Sequence, residues 1–174
     1  TIGAAFAALL SVFNIAGRIS WASLSDYIGR KRTYFIFFVL GAVLYALAPH
    51  AGRIGSVGIF VLIFCVIITM YGGGFATIPA YLSDLFGTQF VGAIHGRLLT
   101  AWSAAGVAGP VLVNYIREYQ VDRGVPAAQA YNITMYLMAG LLVIGFFCNL
   151  AVRGVDERYF MTEEQLARER TPAS

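Results

Sequence analysis

Apolar residues fall in five long runs, and polar residues gather between them. A membrane-spanning helix needs about 20 apolar residues, because each residue rises about 1.5 Å across a hydrocarbon layer of about 30 Å. The pattern predicts spans over 1–24, 33–49, 56–82, 91–116 and 130–152, followed by a charged tail over 153–174. The third run is interrupted by Gly72-Gly73-Gly74 and Pro79, and the fourth contains Pro110. The second and fifth runs are apolar all round, with no polar face to offer water, which argues against a soluble helical bundle. The expected fold class is an all-α membrane protein.

Composition supports lipid as the solvent. Of 174 residues, 59% are hydrophobic and 12% charged, against roughly 25% charged in a soluble domain. Mean hydropathy is +0.72. The net charge of +3 does not form a basic face interleaved with aromatics, so nucleic acid is not an expected partner. The lipid bilayer is. Cys65 and Cys148 each lie inside an apolar run, where they act as small apolar side chains. No cysteine spacing suits a metal. There is no Ser-His-Asp set, no paired carboxylates at membrane depth and no phosphate loop, so neither an enzyme nor a cofactor is expected.

Charge sets the orientation. Arg18, Arg30, Lys31, Arg32, Arg97, Arg153, Arg158, Arg168 and Arg170 fall on or near one side of the spans, and Arg53, Arg117 and Arg123 on the other. The positive-inside rule places the loop around Asp26 and the tail in the cytoplasm of a multi-pass cell-membrane protein, inner or plasma. Five spans then put the N-terminus outside, which fits a chain lacking its earlier helices. In the tail, Thr162 to Arg170 can form a short helix capped by Thr162.

The densest polar stretch is Gly17 to Arg32, with Gly17-Arg18, then Ser25-Asp26, then Gly29-Arg30-Lys31-Arg32. The spacing sets Arg18 near the cytoplasmic end of the first span, frames a tight turn between Asp26 and Gly29, and leaves Arg30, Lys31 and Arg32 among lipid headgroups. Each cation there gains about 1 kcal/mol near an anionic surface. Asp26 is expected to pair with one of these cations, and such pairs can break and re-form between two states. A purely topogenic cluster is the plainer alternative.

This stretch resembles the cytoplasmic loop signature of the major facilitator superfamily, found between helices two and three and again between eight and nine. Ala22 stands where members commonly have Gly, and Tyr27 where they commonly have a basic residue. The first departure implies looser packing of the first span and the second a smaller charge network. Four spans and a tail follow the loop, so the resemblance implies helices 8–12 of a twelve-helix fold, with the N-terminal half of the transporter as the missing partner. Tyr71-Gly-Gly-Gly-Phe75, Pro79-Ala-Tyr81, Asp84-Leu-Phe-Gly87 and Gly92-Ala-Ile-His-Gly96 resemble the oxalate/formate antiporter family and its monocarboxylate-porter relatives.

The resemblance implies a secondary transporter, such as an antiporter, that moves a small organic anion by alternating access. That family's oxalate carriers hold a basic residue in helix eight and another in helix eleven. With Arg18 and Arg97 both read as lying near span ends, a monocarboxylate or other small organic acid is expected rather than a dicarboxylate. A sensor built on the transporter fold and a small complete structural membrane protein are the alternatives. The candidate pocket is Tyr71, Gly73, Tyr81, Trp102 and Asn14. The candidate gate is Gly17, Arg18, Asp26, Gly29, Arg30, Lys31 and Arg32. Gly72 to Gly74 can either line a pocket and flex or simply allow close packing. His95, at the start of the fourth span, is the one candidate proton carrier.

Overall fold

The computed structural model describes residues 2–127 and 129–156. It holds five helices, α1 (Ile2–Ile28), α2 (Arg30–Ile54), α3 (Val57–Phe86), α4 (Val91–Asp122) and α5 (Asn132–Ala151), with no strand among the described residues. All five are long and apolar enough to cross a membrane. The proposed helix over 162–170, and the tail from residue 157 onward, lie outside the described residues.

The helices are longer than the apolar runs. α1 continues through the polar stretch to Ile28, and α2 begins at Arg30. The expected loop over 25–32 is therefore a single residue, Gly29, at φ 90° and ψ 144°. A side chain would be strained there, so only glycine breaks the helix so sharply. Gly29 N–H donates to the Ser25 carbonyl and Thr33 N–H to the Gly29 carbonyl, at 3.0 and 3.1 Å. At its far end α2 runs on through Pro49 to Ile54, stopping at Gly55 in the left-handed region. α3 is unbroken through Gly72–Gly74 and Pro79, and α4 passes Pro110 to reach Asp122. Polarity alone does not end a helix. Backbone hydrogen bonding continues until a glycine or an unfavourable geometry stops it.

α1 lies along α3, α3 along α2, and α2 along α5, while α4 packs lightly on α3 and α5. Close approach of α1 to α3 depends on small residues. A Cβ at Gly17 would run into the Thr69 backbone, and one at Gly72 into the Asn14 carbonyl. At Gly73 it would come within 2.5 Å of Trp21. Trp21 also donates from Nε1 to Thr69 Oγ1 at 3.2 Å. The tight contact falls at Gly17, five residues before Ala22. Between α2 and α3 a core of Phe37, Ala48, Ala51, Ile63, Ile67 and Met70 is buried. α5 meets α2 where Gly145 accommodates the Phe38 ring.

Candidate functional site

α3 is the axis of the site. Successive helical residues turn by about 100°, so its neighbours can be read around its circumference. Gly72 and Gly73 face α1. Ile63, Ile67 and Met70 face α2. Tyr71, Phe75 and Ile78 face α4 across a cavity. α1 and α4 do not touch each other among the described residues. They are the walls of a cleft whose floor is the remaining face of α3, around Ile68 and Phe75.

Arg18 and Asn14 stand on the α1 wall. Arg18 Nε donates to Asn14 Oδ1 at 3.2 Å, and Asn14 shares a shallow hollow with Ser11 and Ile68. The helix does not end at Arg18 but continues through the polar stretch to Ile28. Arg18 lies ten residues before the end of α1, roughly 15 Å along the axis. A Cβ at Gly72, midway along α3, would lie 3.3 Å from Arg18 Cγ. A cation at the bilayer centre costs about 2.5–3.5 kcal/mol by insertion scales. One neutral hydrogen-bond partner offsets only about 1–3 kcal/mol. An exposed arginine at this depth therefore needs a water-filled cavity or an anion beside it.

Trp102 stands on the α4 wall. Its ring meets Phe75 edge-on at 5.6 Å, and Phe75 meets Tyr71 at 5.1 Å. Behind these rings a cavity of about 480 Å³ extends between α2, α3 and α4. Its walls are almost wholly apolar, and His95 sits in its lining.

The five candidate pocket residues do not form one pocket. Tyr71 and Trp102 share the α4 side of the cleft, and Asn14 lies opposite beside Arg18. Gly73 is buried in the α1–α3 contact. Tyr81 is elsewhere: it is buried, stacks on Tyr34 at 5.1 Å and donates to Asn149 Oδ1 at 3.0 Å. The glycine triplet divides as well, since Gly74 lines the cavity and its carbonyl accepts from Tyr34 Oη at 2.7 Å. Phe75 and His95 were missed as lining residues, because only the α3–α4 pairing brings them together.

Five of the gate residues, Asp26, Gly29, Arg30, Lys31 and Arg32, collect at the Gly29 end, whereas Gly17 and Arg18 lie against the middle of α3. Asp26 pairs with Arg30 across the glycine break, and Arg30 Nε also lies 3.8 Å from Asp84 at the end of α3. Arg30 further donates to the buried Ser25 hydroxyl. Lys31 Nζ donates to the carbonyls of Val152 at 2.7 Å and Leu150 at 3.4 Å, holding the end of α5. Asn149 Nδ2 donates to the Lys31 carbonyl at 3.3 Å, and Val155 N–H to the Leu85 carbonyl at 2.9 Å. The ends of α1, α3 and α5 are thus tied to the start of α2. Asp84 was visible only as part of a short motif, and nothing local marked it as a partner of Arg30.

Comparison with known proteins matches the whole chain, residues 1–174, to the Major Facilitator Superfamily. The chain belongs to the major facilitator superfamily. Among its relatives are an oxalate:formate antiporter of Oxalobacter formigenes, 32% identical over 57% of this chain, and apicoplast pyruvate carrier 2 of Toxoplasma gondii, 29% identical over 64%. Glucose transporter GlcP of Staphylococcus epidermidis is 29% identical over 58%. The aligned stretches cover 23%, 17% and 22% of these relatives, so the chain spans under a quarter of their length. No solved structure matches it significantly. Among the described residues, this chain contributes five helices long and apolar enough to cross a membrane, with Arg18 of α1 set against the middle of α3.

Proposed function

We propose that the full protein is a secondary transporter of a small organic anion, working by alternating access in the cell membrane, with α1–α5 as helices 8–12. The carrying observation is Arg18, exposed ten residues before the end of its helix, against the middle of α3 at the edge of a cleft, and hydrogen-bonded only to Asn14 among the contacts described. A guanidinium there attracts a carboxylate and can bind it through two parallel hydrogen bonds. Entry of the anion replaces the water that the arginine otherwise needs. The other half of the transporter would close over the cleft. The pairs of Arg30 with Asp26 and Asp84 would hold the cytoplasmic end in one of its two states. The names of two relatives, an oxalate:formate antiporter and a pyruvate carrier, fit an anionic cargo.

Counterflow in vesicles containing the full-length protein tests this reading. Carboxylates should exchange, and Arg18→Gln should cut the rate at least about tenfold, the worth of one charge-assisted hydrogen bond. Undiminished exchange by that variant, or exchange of glucose in preference to carboxylates, would sink the proposal.

A further inference from the structure

We infer that Asn14 decides the charge of the cargo: it holds Arg18 with a neutral amide and so leaves the guanidinium's charge to be matched by the transported molecule. This rests on the reading of Arg18 as the carboxylate's partner. It goes further by assigning the residue that keeps that cation unmatched.

Asn14 and Arg18 stand four residues apart on α1, which sets them on one face of the helix. Arg18 Nε donates to Asn14 Oδ1 at 3.2 Å. Among the described residues both ion pairs belong to Arg30, so no carboxylate there is paired with Arg18. A guanidinium only donates. With Nε engaged by Asn14, the edge formed by its two Nη groups stays open, and that edge can take a carboxylate through two parallel bonds.

Both residues rest on a bare strip of α3. A Cβ on Gly72 would meet the Asn14 carbonyl oxygen at 2.3 Å and Arg18 Cγ at 3.3 Å. The Asn14 backbone is thus fixed against α3, and its side chain holds a long arginine that would otherwise sample many rotamers. A group positioned in advance loses less freedom when it binds. The amide's own orientation follows from the chemistry of its partner. Because arginine has no acceptor, Asn14 turns Oδ1 toward Arg18 and Nδ2 away from it. Nδ2 has no hydrogen-bond partner among the described residues, and Asn14 lines the hollow shared by Ser11 and Ile68. Apart from the second lone pair on Oδ1, the groups this pair leaves for a cargo are donors. They suit a carboxylate and offer an ammonium group little.

An aspartate would fit the same space with nearly the same shape and reverse the outcome. It would pair with Arg18, cancel its charge and repel a second carboxylate. The charge of residue 14, rather than its size, therefore selects an anion.

Acetate, lactate and oxalate titrated calorimetrically into full-length protein in nanodiscs test this. Asn14→Ala removes the hydrogen bond and keeps the positive charge unmatched. The acid that binds best should weaken by about threefold to tenfold, the worth of one hydrogen bond. Asn14→Asp keeps the hydrogen bond and cancels the charge, so affinity should fall at least about thirtyfold, the worth of a charge-assisted contact. A merely structural role gives the opposite order, because aspartate supplies the shape and the acceptor that alanine lacks. Asn14→Gln and Asn14→Glu repeat the comparison with a longer side chain, so a folding defect in one variant leaves the other pair to decide. If the acidic variants bind as tightly as the neutral ones while Arg18→Gln abolishes binding, this inference is overturned and the anion reading stands. Failure of all three acids to bind the unaltered protein would remove the anion reading and this inference with it.

Discussion

Residues of the same type differ here by what surrounds them. Tyr71 is half exposed beside Trp102, whereas Tyr81 is buried with its hydroxyl on Asn149. In sequence both are tyrosines on one apolar run, ten residues apart, and nothing local separates them. Tyr81→Phe should leave Asn149 Oδ1 without its donor at a buried position, lowering stability by about 1–3 kcal/mol. Thermal unfolding in detergent should show the loss, with substrate affinity unchanged. Reduced affinity at full stability would return Tyr81 to the pocket. Arg18 teaches the same lesson about depth. It was legible as a charge at a polar boundary, but its polar neighbours are helical, so the boundary was not the end of the helix.

At the scale of the elements, the apolar runs located every helix, but their ends and pairings came from glycine geometry and packing. Gly29 ends one helix and lets the next begin because its backbone conformation is closed to other residues. Gly17 looks like any other small residue, yet it sets the distance between α1 and α3, where the Thr69 backbone lies against it. Gly17→Leu should push the helices apart and cost about 1–3 kcal/mol or more, since a backbone cannot move aside like a side chain. A lowered melting temperature together with weakened anion binding is expected, because the same contact holds Asn14 and Arg18 at the cleft. Unchanged stability would mean that α1 can shift along α3 without loss.

Across the molecule, one end is bound together and the middle is open. Arg30 and Lys31 gather the ends of α1, α3 and α5, while α1 and α4 stand apart over α3. Asp26 and Asp84 are both largely exposed, so each pair is worth about 0.2–1 kcal/mol and is screened by salt. Asp26→Asn should therefore slow flux by no more than about fivefold while leaving insertion intact. Combined with Asp84→Asn, the effects should not add, because both carboxylates share Arg30. Strictly additive rates in the double variant would show that the two pairs act separately.

The sequence by itself determined that the described residues hold five long apolar helices and that the charged stretch resembles a major facilitator loop. Those features depend on the length and composition of contiguous segments, which a one-dimensional pattern records. Tertiary structure alone decided which residues meet: that Arg18 lies against Gly72 in the middle of α3, that Tyr71 and Trp102 share a cavity with His95 while Tyr81 does not, and that Asp84 reaches Arg30. The physical reason is that every long apolar helix in lipid has the same outward chemistry on all sides. The facing of each side chain is then set by where small residues let helices approach, and that depends on partners distant in the chain.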